Sequence, residues 1–178
     1  MSREIFSNEL GSMGYRDIGK IFKQLDVTQF NADIFSKDPN RKVGCCIVDE
    51  NKQHVHFSYN GFPAGLEETE EKWKRPTKYN YVVHAEANAV VLCPFNKKGS
   101  TVYVTCRPCQ NCLKLIVASR VSTLIFVEQS IPLIDNSFDA QSYADLLLHI
   151  TNVHIVGEKE SVTRFIFDDL KGFFPCFR

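Results

Sequence analysis

Two short runs carry the side chains that metal chemistry needs: His84-Ala85-Glu86 and, further along the chain, Pro108-Cys109-Gln110-Asn111-Cys112. His84 offers an imidazole nitrogen, and Cys109 and Cys112 offer thiolates, a donor set suited to Zn2+. Three protein ligands leave the fourth position of a tetrahedral ion for water. That is how a metal is kept open for chemistry and not closed for structure. Two thiolates and Zn2+ sum to about zero charge, yet the ion still draws the pKa of its water toward ~7. Glu86 is not needed as a ligand, so it is the candidate proton carrier between that water and a substrate. Cys106 supplies an alternative, because Cys106, Cys109 and Cys112 form C-x-x-C-x-x-C and with His84 could close a structural Cys3His site. That alternative leaves Glu86 without a task, and Pro108 turns Cys106 away from the helix that follows.

These residues need two helix starts facing each other. His84 to Leu92 is apolar and alanine-rich and predicts a short buried helix carrying His84 and Glu86 near its beginning. Gln110 to Ser119 predicts a second, opened by Pro108 and Cys109. Cys109 and Cys112 lie three apart, so both sulfurs face one side of it. The helix dipole and unpaired N–H groups there favour thiolates.

The surrounding chain alternates between helix and strand periods. A first amphipathic helix is expected from Tyr15 toward Ala32, broken by Ser36-Lys37-Asp38-Pro39-Asn40. Val43 to Val48 and His54 to Tyr59 read as a hairpin, followed by the loop Asn60-Gly61-Phe62-Pro63-Ala64-Gly65. Glu67 to Lys78 reads as an exposed, charged excursion, with Trp73 as its anchor. Thr101 to Thr105, Thr123 to Val127 and Val153 to Val156 read as strands, with a helix over Ala140 to Ile150. The tail from Glu158 to Arg178, with Phe165-Ile166-Phe167 and Phe173-Phe174-Pro175, suits an edge strand or a partner contact. The whole predicts one α/β domain with its core over about 13–157 and helices on both faces of a mixed sheet of about five strands.

Bulk composition narrows the setting. Lys+Arg and Asp+Glu balance at 21 each, so no global field favours nucleic acid or a membrane surface. The first residues, MSREIFSNEL, are charged and lack a long apolar run, so neither a signal peptide nor a span is expected. Seven cysteines, three of them within Cys106 to Cys112, fit a reducing, intracellular setting: cytoplasm or nucleus. Cys45-Cys46 reads as strand packing, and His54, His56, His149 and His154 have no ligand-spaced partner.

H-x-E followed by P-C-x-x-C is the signature of zinc deaminases. Over about Ser36 to Val127 the chain resembles the deoxycytidylate (dCMP) deaminase family within the cytidine deaminase superfamily. The resemblance rests on Ser36-Lys37-Asp38-Pro39 with Lys42-Val43-Gly44, on Tyr59-Asn60-Gly61-Phe62-Pro63, on Thr77 through Ala89, and on Pro108 through Ile116. It implies a three-layer α/β/α fold and hydrolytic deamination of dCMP to dUMP. His84, Cys109 and Cys112 would hold zinc, and Glu86 would shuttle protons. The Ala85 N–H would meet the pyrimidine carbonyl, and Asn60 would reach the sugar. It further implies a hexamer or dimer regulated by dCTP and dTTP, with Mg2+, at a site including Asn60 and Gly61.

Three departures bear on the substrate. Phe35 stands where relatives often carry an arginine before Ser-Lys-Asp-Pro, so Lys37, Arg41, Lys42 or Arg107 would have to meet a phosphate. Glu128-Gln129-Ser130 replaces Asp-Lys-Tyr, and Cys106-Arg107 replaces Leu-Phe. Another cytosine substrate, such as dCTP or a nucleic-acid base, therefore stays open. So does a nucleotide sensor without turnover.

Overall fold

The computed structural model describes residues 4–7, 15–128 and 139–166. Strand β1 (Glu4–Ser7) is followed by the long helix α1 (Tyr15–Phe35), then the hairpin β2 (Gly44–Val48) and β3 (Val55–Tyr59). A short α2 (Glu70–Trp73) and a 3-10 turn (Thr77–Asn80) lead to α3 (Ala85–Leu92). Then come β4 (Thr101–Val104), α4 (Gln110–Ala118), β5 (Thr123–Val127), α5 (Ala140–Leu148), β6 (Asn152–Gly157) and α6 (Lys159–Arg164).

The strands form one sheet in the order β1-β6-β5-β4-β2-β3. β4, β5 and β6 run parallel, joined by α4 and α5, and the other pairings are antiparallel. Alternation along each strand sends side chains to two faces. On β5, Leu124 and Phe126 pack into the larger core with α3, α4 and α5, while Ile125 packs with Ile21 and Leu25 of α1 on the other side. The result is the expected three layers. On the α1 side the approach is close: a Cβ on Gly44 would collide with the backbone carbonyl of Thr28.

Two expectations change. The sheet has six strands, because β1 adds to the free side of β6 with Glu4 opposite Gly157. The tail begins not as an edge strand but as α6, which carries Phe165 and Ile166 into the large core. Phe167, the aromatic run Phe173-Phe174-Pro175 and Cys176 lie outside the described residues. No described helix is long and apolar enough to cross a membrane.

Candidate metal centre

His84 is the N-cap of α3 and Cys109 the N-cap of α4, so both helix starts converge as expected. His84 Nδ1 lies 3.5 Å from Cys109 Sγ and 3.4 Å from Cys112 Sγ. A tetrahedral ion with ordinary Zn–N and Zn–S bond lengths would hold such atoms about 3.5 Å apart. The donor set and its spacing therefore fit zinc without rearrangement. Among the described residues these three alone form such a group, so the closed Cys3His alternative with Cys106 is set aside. Burial pushes the Cys106 thiol up to about 12, which keeps it a neutral packing group.

The sulfurs already share charge. A hydrogen bond from Cys112 holds Cys109 down at about 4, and the same bond pushes Cys112 up. The Cys109 sulfur also accepts the Cys112 backbone N–H at 3.5 Å. Glu86, in the first turn of α3, is buried, and that burial pushes its carboxyl above the ordinary range. The charge of His84 and a hydrogen bond with Cys112 oppose that shift. A buried carboxyl raised above its ordinary value is suited to carry protons. Ala85 is the first residue of α3, where backbone N–H groups have no acceptor within the helix.

The histidine arm is held by a buried polar clasp. Lys78 Nζ donates to both carboxylate oxygens of Asp38 at 2.8 Å. Both side chains are nearly fully enclosed, at 6% and 2% exposure. Burial would raise the Asp38 carboxyl, but the hydrogen bonds from Lys78 and from the Asn40 and Arg41 N–H groups prevail and lower it. Asn60 completes the clasp. Its Nδ2 donates to Asp38 and to the Arg41 carbonyl, both at 3.0 Å, and its Oδ1 accepts from the Val43 N–H at 2.8 Å and Ser36 Oγ at 3.0 Å. Next to it, Gly61 and Val83 exchange N–H···O bonds of 3.1 and 2.8 Å, tying this loop to the residue before His84. Asn88 Nδ2 then ties α3 to the Tyr59 carbonyl.

The cysteine arm is held differently. The Tyr143 hydroxyl of α5 donates to the Pro108 carbonyl at 2.9 Å. Gln110 accepts from the Asp139 N–H at 3.1 Å and donates to Ser142 Oγ. Arg107 Nε lies 3.5 Å from Glu128 Oε2, and its guanidinium covers the Phe165 ring at 4.4 Å.

The outer candidates separate. Lys37 is exposed and paired with Glu68, and Lys42 Nζ donates to the Asp33 carbonyl. Arg41 and Lys42 line a cavity of about 540 Å3 together with Thr105, Cys106 and Val127. One expectation is corrected. Arg107 does not face a solvent-borne phosphate, because its side chain is 7% exposed and turned inward onto Glu128. The Asn60 amide is engaged within the clasp, its Nδ2 on Asp38 and the Arg41 carbonyl and its Oδ1 on the Val43 N–H. Two departures from the family pattern, Arg107 and Glu128, thus meet in one ion pair. Gln129 and Ser130 lie outside the described residues. Trp73 is the anchor of its loop, stacked on Phe62 with ring centroids 4.1 Å apart.

Sequence reasoning missed Lys78, Asp38, Tyr143 and Glu128. Asp38 and Lys78 did stand within runs shared with a known family, whereas Tyr143 carried no local signal.

The family described as the cytidine and deoxycytidylate deaminase zinc-binding region matches residues 25–128. A probable deoxycytidylate deaminase of Caenorhabditis elegans is 42% identical over 102 residues, covering 52% of this chain and 50% of that one. The deoxycytidylate deaminase of Homo sapiens is 36% identical over 129 residues, covering 66% and 68%. The chain spans about half the length of the first curated relatives it matches. Among solved structures, dCMP deaminase from the cyanophage S-TIM5, in complex with dCMP and dUMP, has a TM-score of 0.52 at 24% identity, covering 65% of this chain and 84% of that one. RibD of Acinetobacter baumannii has a TM-score of 0.51 at 19% identity, covering 89% and 40%. These two likenesses show the fold.

Proposed function

This chain belongs to the cytidine and deoxycytidylate deaminase family, and on that premise we propose that it hydrolyses dCMP to dUMP and ammonia. The observation that carries the reading is the His84, Cys109 and Cys112 cluster with the buried Glu86 carboxyl beside it. Zinc bound there would supply a water acidified toward neutral pH and a Lewis acid at the reacting centre. Glu86 takes one proton from the attacking water and delivers it to N3 of the cytosine as oxygen bonds to C4. It then moves the second water proton to the amino group as the C4–N4 bond breaks. The ring keeps a C4 carbonyl and an N3–H, and ammonia leaves. The Ala85 N–H, at the start of α3, meets the pyrimidine carbonyl.

Arg41 is the phosphate ligand that best replaces the arginine absent at Phe35, since it lines the cavity beside Cys106, whereas Lys37 is engaged by Glu68. Regulation by dCTP and dTTP with Mg2+ belongs to the same reading. Its physical support is the Gly61–Val83 bridge, which would carry a shift of the Asn60-Gly61 loop straight to His84. Assembly into a hexamer or dimer and a cytoplasmic location complete the proposal. The described cysteines, all free thiols, suit that compartment.

The test is a substrate panel. Zinc-loaded protein is given dCMP, dCTP, deoxycytidine, cytidine and single-stranded DNA, with and without dCTP or dTTP and Mg2+. Preferential loss of the 4-amino group from dCMP is expected. Preference for dCTP or for the nucleosides overturns the substrate while keeping the reaction, and turnover of none overturns both.

A further inference from the structure

Pro108 precedes the N-cap of α4, so its carbonyl is outside the helix ladder, which begins with the Leu113 N–H on the Cys109 carbonyl at 2.9 Å. Pro108 is buried, and a buried carbonyl needs a donor. That donor is Tyr143, fully enclosed, on a helix outside the residues the family matches. Its ring is fixed edge-on against Phe165 at 6.1 Å, and Phe165 is edge-on to Phe126 at 6.1 Å. The Arg107 guanidinium lies over the Phe165 ring at 4.4 Å. Gln110 is tied to Asp139 and Ser142. Residues 107, 108 and 110, flanking Cys109 on both sides, are therefore each pinned by a group from α5, from its N-cap or from Phe165, just past α6.

We propose that Tyr143 is a positioning residue of the metal centre: its hydroxyl, on the Pro108 carbonyl, fixes the turn that presents Cys109 and so sets how firmly the chain holds its metal. Partners that orient metal ligands from behind commonly change metal affinity by ~10–100-fold when removed. Tyr143→Phe keeps the ring and its edge-on packing and removes only the donor. The Cys109 turn then loses its fixed angle while His84 keeps its own clasp.

The role rests on the zinc reading of the cluster, and the metal content of the unaltered full chain tests that reading separately. About one zinc per chain is expected, and an unaltered protein without zinc overturns the reading. Given zinc, release is timed with a chromogenic chelator, and the absorption bands of the cobalt(II)-loaded protein are recorded. Tyr143→Phe should release zinc ~10-fold faster or more and shift the cobalt bands. Leu147→Ala, one turn along the same helix and equally enclosed, is the control for general loosening. It should lower the melting temperature and leave the cobalt bands in place. Should Tyr143→Phe not fold, Gln110→Ala cuts the neighbouring tie at a half-buried position and is read the same way. Unchanged release and unchanged bands, or equal changes in Leu147→Ala, overturn the positioning role.

Discussion

His84 reaches the centre from a segment clasped by a short buried ion pair, Lys78 on both Asp38 oxygens at 2.8 Å. Cys109 and Cys112 instead reach it from a helix start held mainly by neutral hydrogen bonds and edge-on rings, with a longer Arg107–Glu128 contact of 3.5 Å beside them. The difference teaches how each arm fails. A buried pair that loses one partner leaves an uncompensated charge, which is far costlier than losing a neutral hydrogen bond. The histidine arm should therefore behave as an all-or-none element of stability. The cysteine arm should loosen gradually, losing metal before it loses fold.

The largest break is Lys78→Met, which strands the Asp38 carboxylate. It should cost about 3–5 kcal/mol in urea unfolding at neutral pH. Adding Asp38→Asn should recover part of that. The pH response has a definite sign. Asp38 titrates lower in the folded chain than its ordinary carboxylate value, so its contribution is fully present above about pH 4 and is lost as pH falls through the folded value. The gap between parent and Lys78→Met should therefore narrow in acid. A gap that widens in acid would contradict the clasp.

Tyr143→Phe is the intermediate case. Its stability cost should be about 1–3 kcal/mol, the range for leaving one buried polar group unpaired, while its effect on zinc retention is the larger signal. The smallest effect is expected from Lys37→Ala. That pair with Glu68 has an exposed lysine, so removing it should change stability by no more than about 1 kcal/mol. A larger loss would move the exposed excursion into the structural frame and erase the contrast between the two arms.

The layers and the grouping of His84, Cys109 and Cys112 were legible because local rules decide them. Strand and helix periods placed β2 to β6 and α1, α3, α4 and α5 within a few residues, and the His84-Ala85-Glu86 and Pro108-to-Cys112 runs located the centre. β1 was not legible, since four residues with one strongly apolar pair, Ile5 and Phe6, become a strand only against β6. Lys78 sits among exposed charges, and nothing in its neighbourhood marks it as the enclosed one; its partner Asp38 is distant in sequence. Arg107 read as a candidate phosphate ligand because its partners, Glu128 and Phe165, come from separate elements. Pairings across long separations are tertiary facts, and a single sequence states them only through motifs already known.

In the proposed reaction the proton carrier is Glu86, which is buried and makes no part of the metal cluster. The most direct measurement is dCMP deamination by Glu86→Gln, with its zinc content determined on the same preparation. Full zinc occupancy with a rate reduced by about 100- to 10,000-fold is the predicted result, the range expected for losing a positioned general acid–base. Full occupancy with a rate close to that of the parent would show that the proton travels by another route and would contradict the account.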